Sequence, residues 1–178
     1  MPTGPPTLSP VNHDDWEQRV ADAWASIDDY PEAEFRELID KLAAELPNGS
    51  PIAAFERACA FDSTGHSDQA VPLYQQALDG GVTGERHRRA IIQMASSLRN
   101  LGQPQRSVEL LTHELAAGSD HLDDAVRATL ALALTDVGRE REAVSILVTA
   151  LARHLPRYQR SMANYGRLLL ADEGTVED

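Results

Sequence analysis

Cysteine, lysine and aromatic residues are scarce in this chain, and each scarcity removes a class of protein from consideration. Cys59 is the single cysteine, which excludes an intramolecular disulfide and a cysteine-rich metal site. Aromatic residues are 5% of the 178, while alanine and leucine abound; small side chains favour closely packed helices over β-sandwiches. No apolar run approaches the roughly 18 residues needed to span a bilayer. No charged-then-apolar signal segment opens the chain either, so a cytoplasmic location is expected. Cations are few as well: the formal net charge is −12, and Lys41 is the lone lysine. Such a balance argues against non-specific binding to nucleic acid or to anionic membranes, both of which need basic surface. The choice of arginine over lysine reads as compositional bias rather than a requirement for bidentate pairing.

What remains is an ordinary globular mix of 42% hydrophobic and 25% charged residues, long enough for one domain with a continuous core. The charge is unevenly placed. Residues 1–48 hold eleven Asp and Glu against Arg19, Arg36 and Lys41, a balance of −8. Residues 1–11 carry four prolines and little to bury, and are expected to form a disordered tail. In residues 12–48 Asn12 or Asp14 can cap a first helix bearing Trp16, Val20, Trp24 and Ile27 on one face. Pro31 suits the first turn of a second, with Phe35, Leu38, Ile39, Leu42 and Leu46 on its apolar side.

From Ser50 a unit begins that recurs. Ser50 caps a helix from Pro51 to about Thr64, Gly65 turns the chain, and a second helix runs from near Ser67 to Asp79. The turn glycine returns at Gly102 and Gly138. After each comes a small residue and a valine (Ala70-Val71, Ser107-Val108, Ala143-Val144), then a large apolar residue (Tyr74, Leu111, Leu147), then a leucine (Leu78, Leu115, Leu151). A helix–turn–helix unit of this length, repeated, is the signature of an α-solenoid. Each residue type has a physical task. Glycine permits positive φ between antiparallel helices. The small residue lets the two helices approach, and the large residue and leucine fill the gap to the next unit, so a repeat buries its face by stacking on its neighbour. The three repeats take residues 49–155. Over residues 156–171 a last amphipathic helix bears Tyr158, Met162, Tyr165 and Leu169 on one face and Arg160, Asn164 and Arg167 on the other. It is expected to cap the last repeat. Residues 172–178 are an acidic tail.

The stretch from Phe55 to Gly65, with Ala70-Val71 and Tyr74, then Ile92 to Gly102, Gly138 to Val144 and His154 to Arg160, resembles the bacterial tetratricopeptide repeat group 5 subgroup. The resemblance covers roughly residues 50–165. It implies an all-α, tetratricopeptide-type solenoid of antiparallel helix pairs whose concave groove serves protein–protein contact. It supplies no catalytic residues. The resemblance departs from the wider motif at Glu114, where alanine is preferred, and fails over the N-terminal pair, a degenerate repeat or an added cap.

No catalytic or metal-binding constellation is present in the sequence, and no cofactor is expected. The six histidines fall outside paired ligand spacings, and Cys59 sits mid-helix between two alanines. The turn from Asp79 to Gly84 precedes Arg86, Arg88 and Arg89, yet lacks the lysine and hydroxyl of a phosphate loop and reads as a long inter-repeat turn. The candidate partner-binding face is on the first helix of the middle repeat. There Arg89, Gln93, Ser96 and Asn100 share one side, with Arg99 beside them. Its expected ligand is an acidic or amide-rich segment of another protein. The alternative is a self-associating scaffold, such as a homodimer, whose groove is filled by its own or a sister chain's N-terminal helices. In that case Arg89 would meet an acid such as Glu34 or Glu37.

Overall fold

The computed structural model describes residues 12–171; both expected tails, 1–11 and 172–178, lie outside them. Among the described residues there are nine α-helices and no strand. They are α1 (His13–Ala25), α2 (Glu32–Ala43), α3 (Pro51–Ser63), α4 (Ser67–Asp79), α5 (Gly84–Asn100), α6 (Pro104–Ala117), α7 (Asp123–Asp136), α8 (Glu140–Ala152) and α9 (Gln159–Ala171). Each helix packs on the next in the chain, and the first helices α3, α5 and α7 also touch side by side. That is the contact pattern of a solenoid. No described helix is long and apolar enough to cross a membrane.

Local chemistry sets the boundaries. Ser50 Oγ accepts a hydrogen bond from Ala53 N at 3.3 Å, satisfying a free amide at the start of α3, where Pro51 has none to offer. Gly65, Gly102 and Gly138 all turn with positive φ, at 77°, 72° and 75°. A Cβ at any of them would meet nothing within 4 Å, so the backbone angle and not space demands glycine. Asn12 precedes α1 without a side-chain cap bond.

The small positions close the helix pairs as expected. Ala58, Ala95 and Ala131 on the first helices face Ala70, Ser107 and Ala143 on the second, all fully buried. Between repeats, Tyr74 and Leu111 are also fully buried, in cores that include Met94 and Leu98 for the former, Val126 and Leu130 for the latter. The third member of that series differs. Leu147 is 41% exposed and Leu151 is 55% exposed, because no described helix stacks on that side of α8.

The reason is the path of α9. In the first two repeats the side of the second helix formed by Pro72, Gln76 and Asp79, or by Glu109, His113 and Ala116, faces solvent. The equivalent side of α8 is Ser145, Thr149 and Ala152, and α9 lies against it. Ser145 Oγ donates to Gly166 O at 2.7 Å, and a Cβ on Gly166 would come within 2.5 Å of Thr149 Oγ1. Gly166 is the one described residue of α9 that is fully buried. The expectation that Tyr158, Met162, Tyr165 and Leu169 cover the last repeat is therefore corrected. Met162 and Leu169 are half-buried, but Tyr158 is 75% and Tyr165 59% exposed. Pro156 and Tyr158 redirect the chain just before α9. Tyr158 is the only non-glycine residue among those described with positive φ, 67°.

At the other end α1 and α2 form an antiparallel pair without a turn glycine, joined by a short 3-10 turn at Ile27–Asp29. Trp16 Nε1 donates to Leu42 O at 2.8 Å, and Trp24 meets Phe35 edge-on at 5.0 Å. Trp16 and Phe35 are fully buried, in a core that reaches Ala60 of α3.

Candidate functional site

Counting back from each turn glycine places the first-helix residues in register. Phe55, Ile92 and Ala128 are equivalent, as are Cys59, Ser96 and Leu132, and Asp62, Arg99 and Thr135. This face is closed at one end and open at the other. Phe55 and Cys59 are fully buried, Ile92 and Ser96 half-buried, Ala128 exposed and Leu132 49% exposed.

The five candidate residues all lie on α5, and four of them hold neighbouring repeats. Arg89 stands over the Phe55 ring, its guanidinium carbon 5.3 Å from the centroid, and no carboxylate among the described residues pairs with it. Gln93 Oε1 accepts from Cys59 Sγ at 3.5 Å. Arg99 is bonded to Asp136 of α7, and Asn100 Nδ2 donates to Ser67 Oγ at 3.4 Å. Ser96 is half-buried between them. Beneath this row Ser97 Oγ donates to Asp62 Oδ1 at 2.6 Å, and Tyr74 OH donates to Asp62 Oδ2 at 3.2 Å. Burial raises the Asp62 carboxyl above its ordinary range despite these two donors. Burial likewise pushes the Cys59 thiol up to about 12, so at neutral pH it is a protonated, inert packing group.

Two of the arginines after the Asp79–Gly84 turn, Arg86 and Arg88, are consumed internally, which accords with a structural turn. Arg86 grips both oxygens of Glu17 on α1, at 2.9 and 2.5 Å, and Glu56 of α3 at 3.0 Å. Glu56, itself buried, also accepts from Trp24 Nε1 at 2.9 Å. Thus α1 is tied across α3 to the first turn of α5. The acids Glu34 and Glu37 are exposed on α2 and take no part.

Arg88 was not distinguished from its neighbours by sequence reasoning. It is buried, and donates to Glu114 Oε1 at 2.8 Å and Asp123 Oδ1 at 2.6 Å. The signal that could have found it is Glu114, a carboxylate where the motif prefers alanine; a buried carboxylate requires a cation. From Asp123 the charges continue to Arg127 at 3.3 Å, then to Asp124 at 3.1 Å, which also meets His154 at 2.8 Å and Arg153. The Arg153 and His154 hydrogen bonds hold the Asp124 carboxyl well below the usual range. Among the described residues no group of three or more His, Cys, Asp or Glu is placed to hold a metal ion.

Paired helices stacked in register, with a face of first helices running from closed to open, define a tetratricopeptide-type α-solenoid. The tetratrico peptide repeat family matches residues 51–169, and the chain belongs to it. Two crystal structures of nearly identical TPR-like repeats, from a protein of Podosopora anserina assigned as a kinesin light chain, share the fold. One, a point variant of that protein, has a TM-score of 0.67 and 19% identity over 89% of this chain and 92% of that one. The other has a TM-score of 0.62 and 17% identity over 92% and 99%. No curated protein matches in sequence. Repeats of this family are in general protein–protein interaction modules, and the fold is typically non-enzymatic.

Proposed function

We propose that the chain is a non-enzymatic, cytoplasmic interaction module that holds a segment of another protein along the first-helix face, from α5 toward α7. The observation that carries this reading is the gradient of cover: the face is shut over α3 and open over α7, where Leu132 stands half in solvent. A segment laid there would pass Arg89, Gln93, Ser96, Arg99 and Asn100 before reaching Leu132. Arg89 meets no carboxylate among the described residues, and a planar guanidinium fork over an aromatic ring suits an acidic or amide-bearing group. In this reading α1 and α2 close the N-terminal end of the array, and α9 is an accessory helix.

The test is affinity capture from native extract with three baits: the unaltered chain, Arg89→Ala, and Leu132→Glu. A Gln76→Glu chain, altered on the solvent side of α4, is the control. A partner held by the first and last but weakened about tenfold by Arg89→Ala supports the groove, since a hydrogen bond to a charged group contributes roughly 1.5–3 kcal/mol. Equal capture by all four overturns it. The self-associating scaffold remains the second reading, favoured by the Glu17–Arg86–Glu56 ladder that draws α1 over the array. A fixed dimer at all concentrations, with no groove-dependent partner, would select it.

A further inference from the structure

The stacking side of α8 is built like an internal repeat interface and has no neighbour among the described residues. Val71, Tyr74 and Leu78 pack in the core that α5 completes, and Val108, Leu111 and Leu115 pack with Val126, Leu130 and Ala133 of α7. The third set, Val144, Leu147 and Leu151, has the same residue types at the same spacing and is exposed. Exposed apolar surface of this extent marks a contact site. It is continuous at Leu151 with a cleft of about 680 Å³ whose walls include Leu155, Met162 and Tyr165. Beside that cleft, and sharing Arg157 with it, lies a second of about 760 Å³ lined by Arg160, Asn164 and Arg167. No carboxylate among the described residues pairs with Arg157, Arg160 or Arg167.

Charge narrows the occupant. The second cleft gathers Arg157, Arg160 and Arg167 with no carboxylate in its lining among the described residues. Two copies meeting through this cleft would bring arginine against arginine, which disfavours a symmetric contact there. A helix with an apolar side and acidic flanks satisfies both the leucines and the arginines. The chain already uses such a helix at the equivalent place: α7 covers α6 and carries Asp123, Asp124 and Asp136 against Arg127. We infer that the α8 face, Val144, Leu147 and Leu151 with the adjoining arginine-bordered cleft, docks an acidic amphipathic helix of another protein in the position a fourth repeat's first helix would take. The inference rests on the reading of the chain as an interaction module but not on its groove.

The probe is a labelled synthetic peptide of the chain's own residues 123–136, titrated with the full chain and read by fluorescence anisotropy. Saturable binding is expected below roughly 1 mM. Leu147→Asp with Leu151→Asp should weaken it more than about tenfold, since burying each leucine contributes that much or more. Arg157→Glu with Arg160→Glu, which touches no core residue, should weaken it severalfold and flatten its salt dependence. A peptide with its three aspartates changed to lysine should bind less well. Arg89→Ala should leave binding unchanged, so that failure here and failure of the groove reading are told apart. Binding that is absent at about 1 mM, or indifferent to both double variants, overturns the proposal. So does an unaltered chain that sediments as a dimer and becomes monomeric with Leu147→Asp and Leu151→Asp, for the occupant is then a second copy.

Discussion

The two ends of this solenoid use the same kind of helix pair and reach opposite outcomes. Over residues 1–48 the charge balance is −8, yet the apolar residues of α1 and α2 are covered: Trp16 and Phe35 are fully buried, and Glu17 ties the pair forward to Arg86. Over residues 137–178 six arginines stand against six acids, a balance of zero, yet large apolar residues are bare, from Leu147 and Leu151 on α8 to Tyr165 on α9. Leucine at a given motif position is therefore not a core residue by itself. Leu111 is one because α7 follows it; Leu147 is not because α9 passes along the other side of α8. In a repeat protein, burial is a property of the neighbour.

The widest test of this contrast is to shorten each end. Removal of residues 1–48 deletes the cover over Ala60 and Glu56 and a core of four or more large side chains, each contributing roughly 1.5–3 kcal/mol. That approaches a domain's whole stability of about 5–15 kcal/mol, so the shortened chain should lose cooperative melting by calorimetry. Removal of everything after Leu155 takes away a helix with one fully buried residue, and the remainder should still melt cooperatively a few degrees lower. If the second deletion were the more damaging, the comparison would be wrong.

Single substitutions sharpen it. Trp16→Ala should cost about 3–5 kcal/mol in urea titrations, whereas Leu151→Ala should stay within about 0.5 kcal/mol. Between the ends, Arg88→Ala strands the buried Glu114 and Asp123 and should cost about 3 kcal/mol or more. Arg157→Ala, at an exposed site, serves as its control. Gly102→Val should cost on the order of 1–3 kcal/mol through the positive φ alone, because the added Cβ has open space. Circular dichroism melts of Gly102→Ala and Gly102→Val with similar losses would bear this out; a much larger loss for valine would point to a clash.

The smallest expected effect is the dependence on pH. Glu45, held low by Arg19, and Asp124, held low by Arg153 and His154, give stability that is present above the ordinary carboxylate range and lost as pH falls through their lowered values. Asp62 runs the other way: burial raises it, so its contribution is present below the ordinary carboxylate pKa and lost as pH rises through the folded value. Asp62→Asn should therefore gain relative to the unaltered chain between acid and neutral pH. The opposite slope in paired urea titrations would show that the Ser97 and Tyr74 bonds outweigh burial.

Much of the fold is legible in the residues alone. Ser50, Pro51 and Gly65 mark helix ends through their own backbone chemistry, and α4 and α6 begin and end where Ser67, Asp79, Pro104 and Ala117 indicate. The small residues Ala70, Ser107 and Ala143 recur at a period that a single sequence displays, and all three are buried. These features are local, set within a turn or two of helix, so the sequence by itself determined them. The engagement of the α5 face was not legible, nor was the knot at Arg88. Gln93 meets Cys59, Arg99 meets Asp136, and Arg88 meets Asp123, partners 34, 37 and 35 residues away on other helices. The bare flank of α8 was not legible either, since Val144, Leu147 and Leu151 spell the same word as the buried sets before them. A helix dictates which residues share a side; only the packing of the next helix decides whether that side meets protein or water, and here Pro156, Tyr158 and Gly166 sent α9 elsewhere.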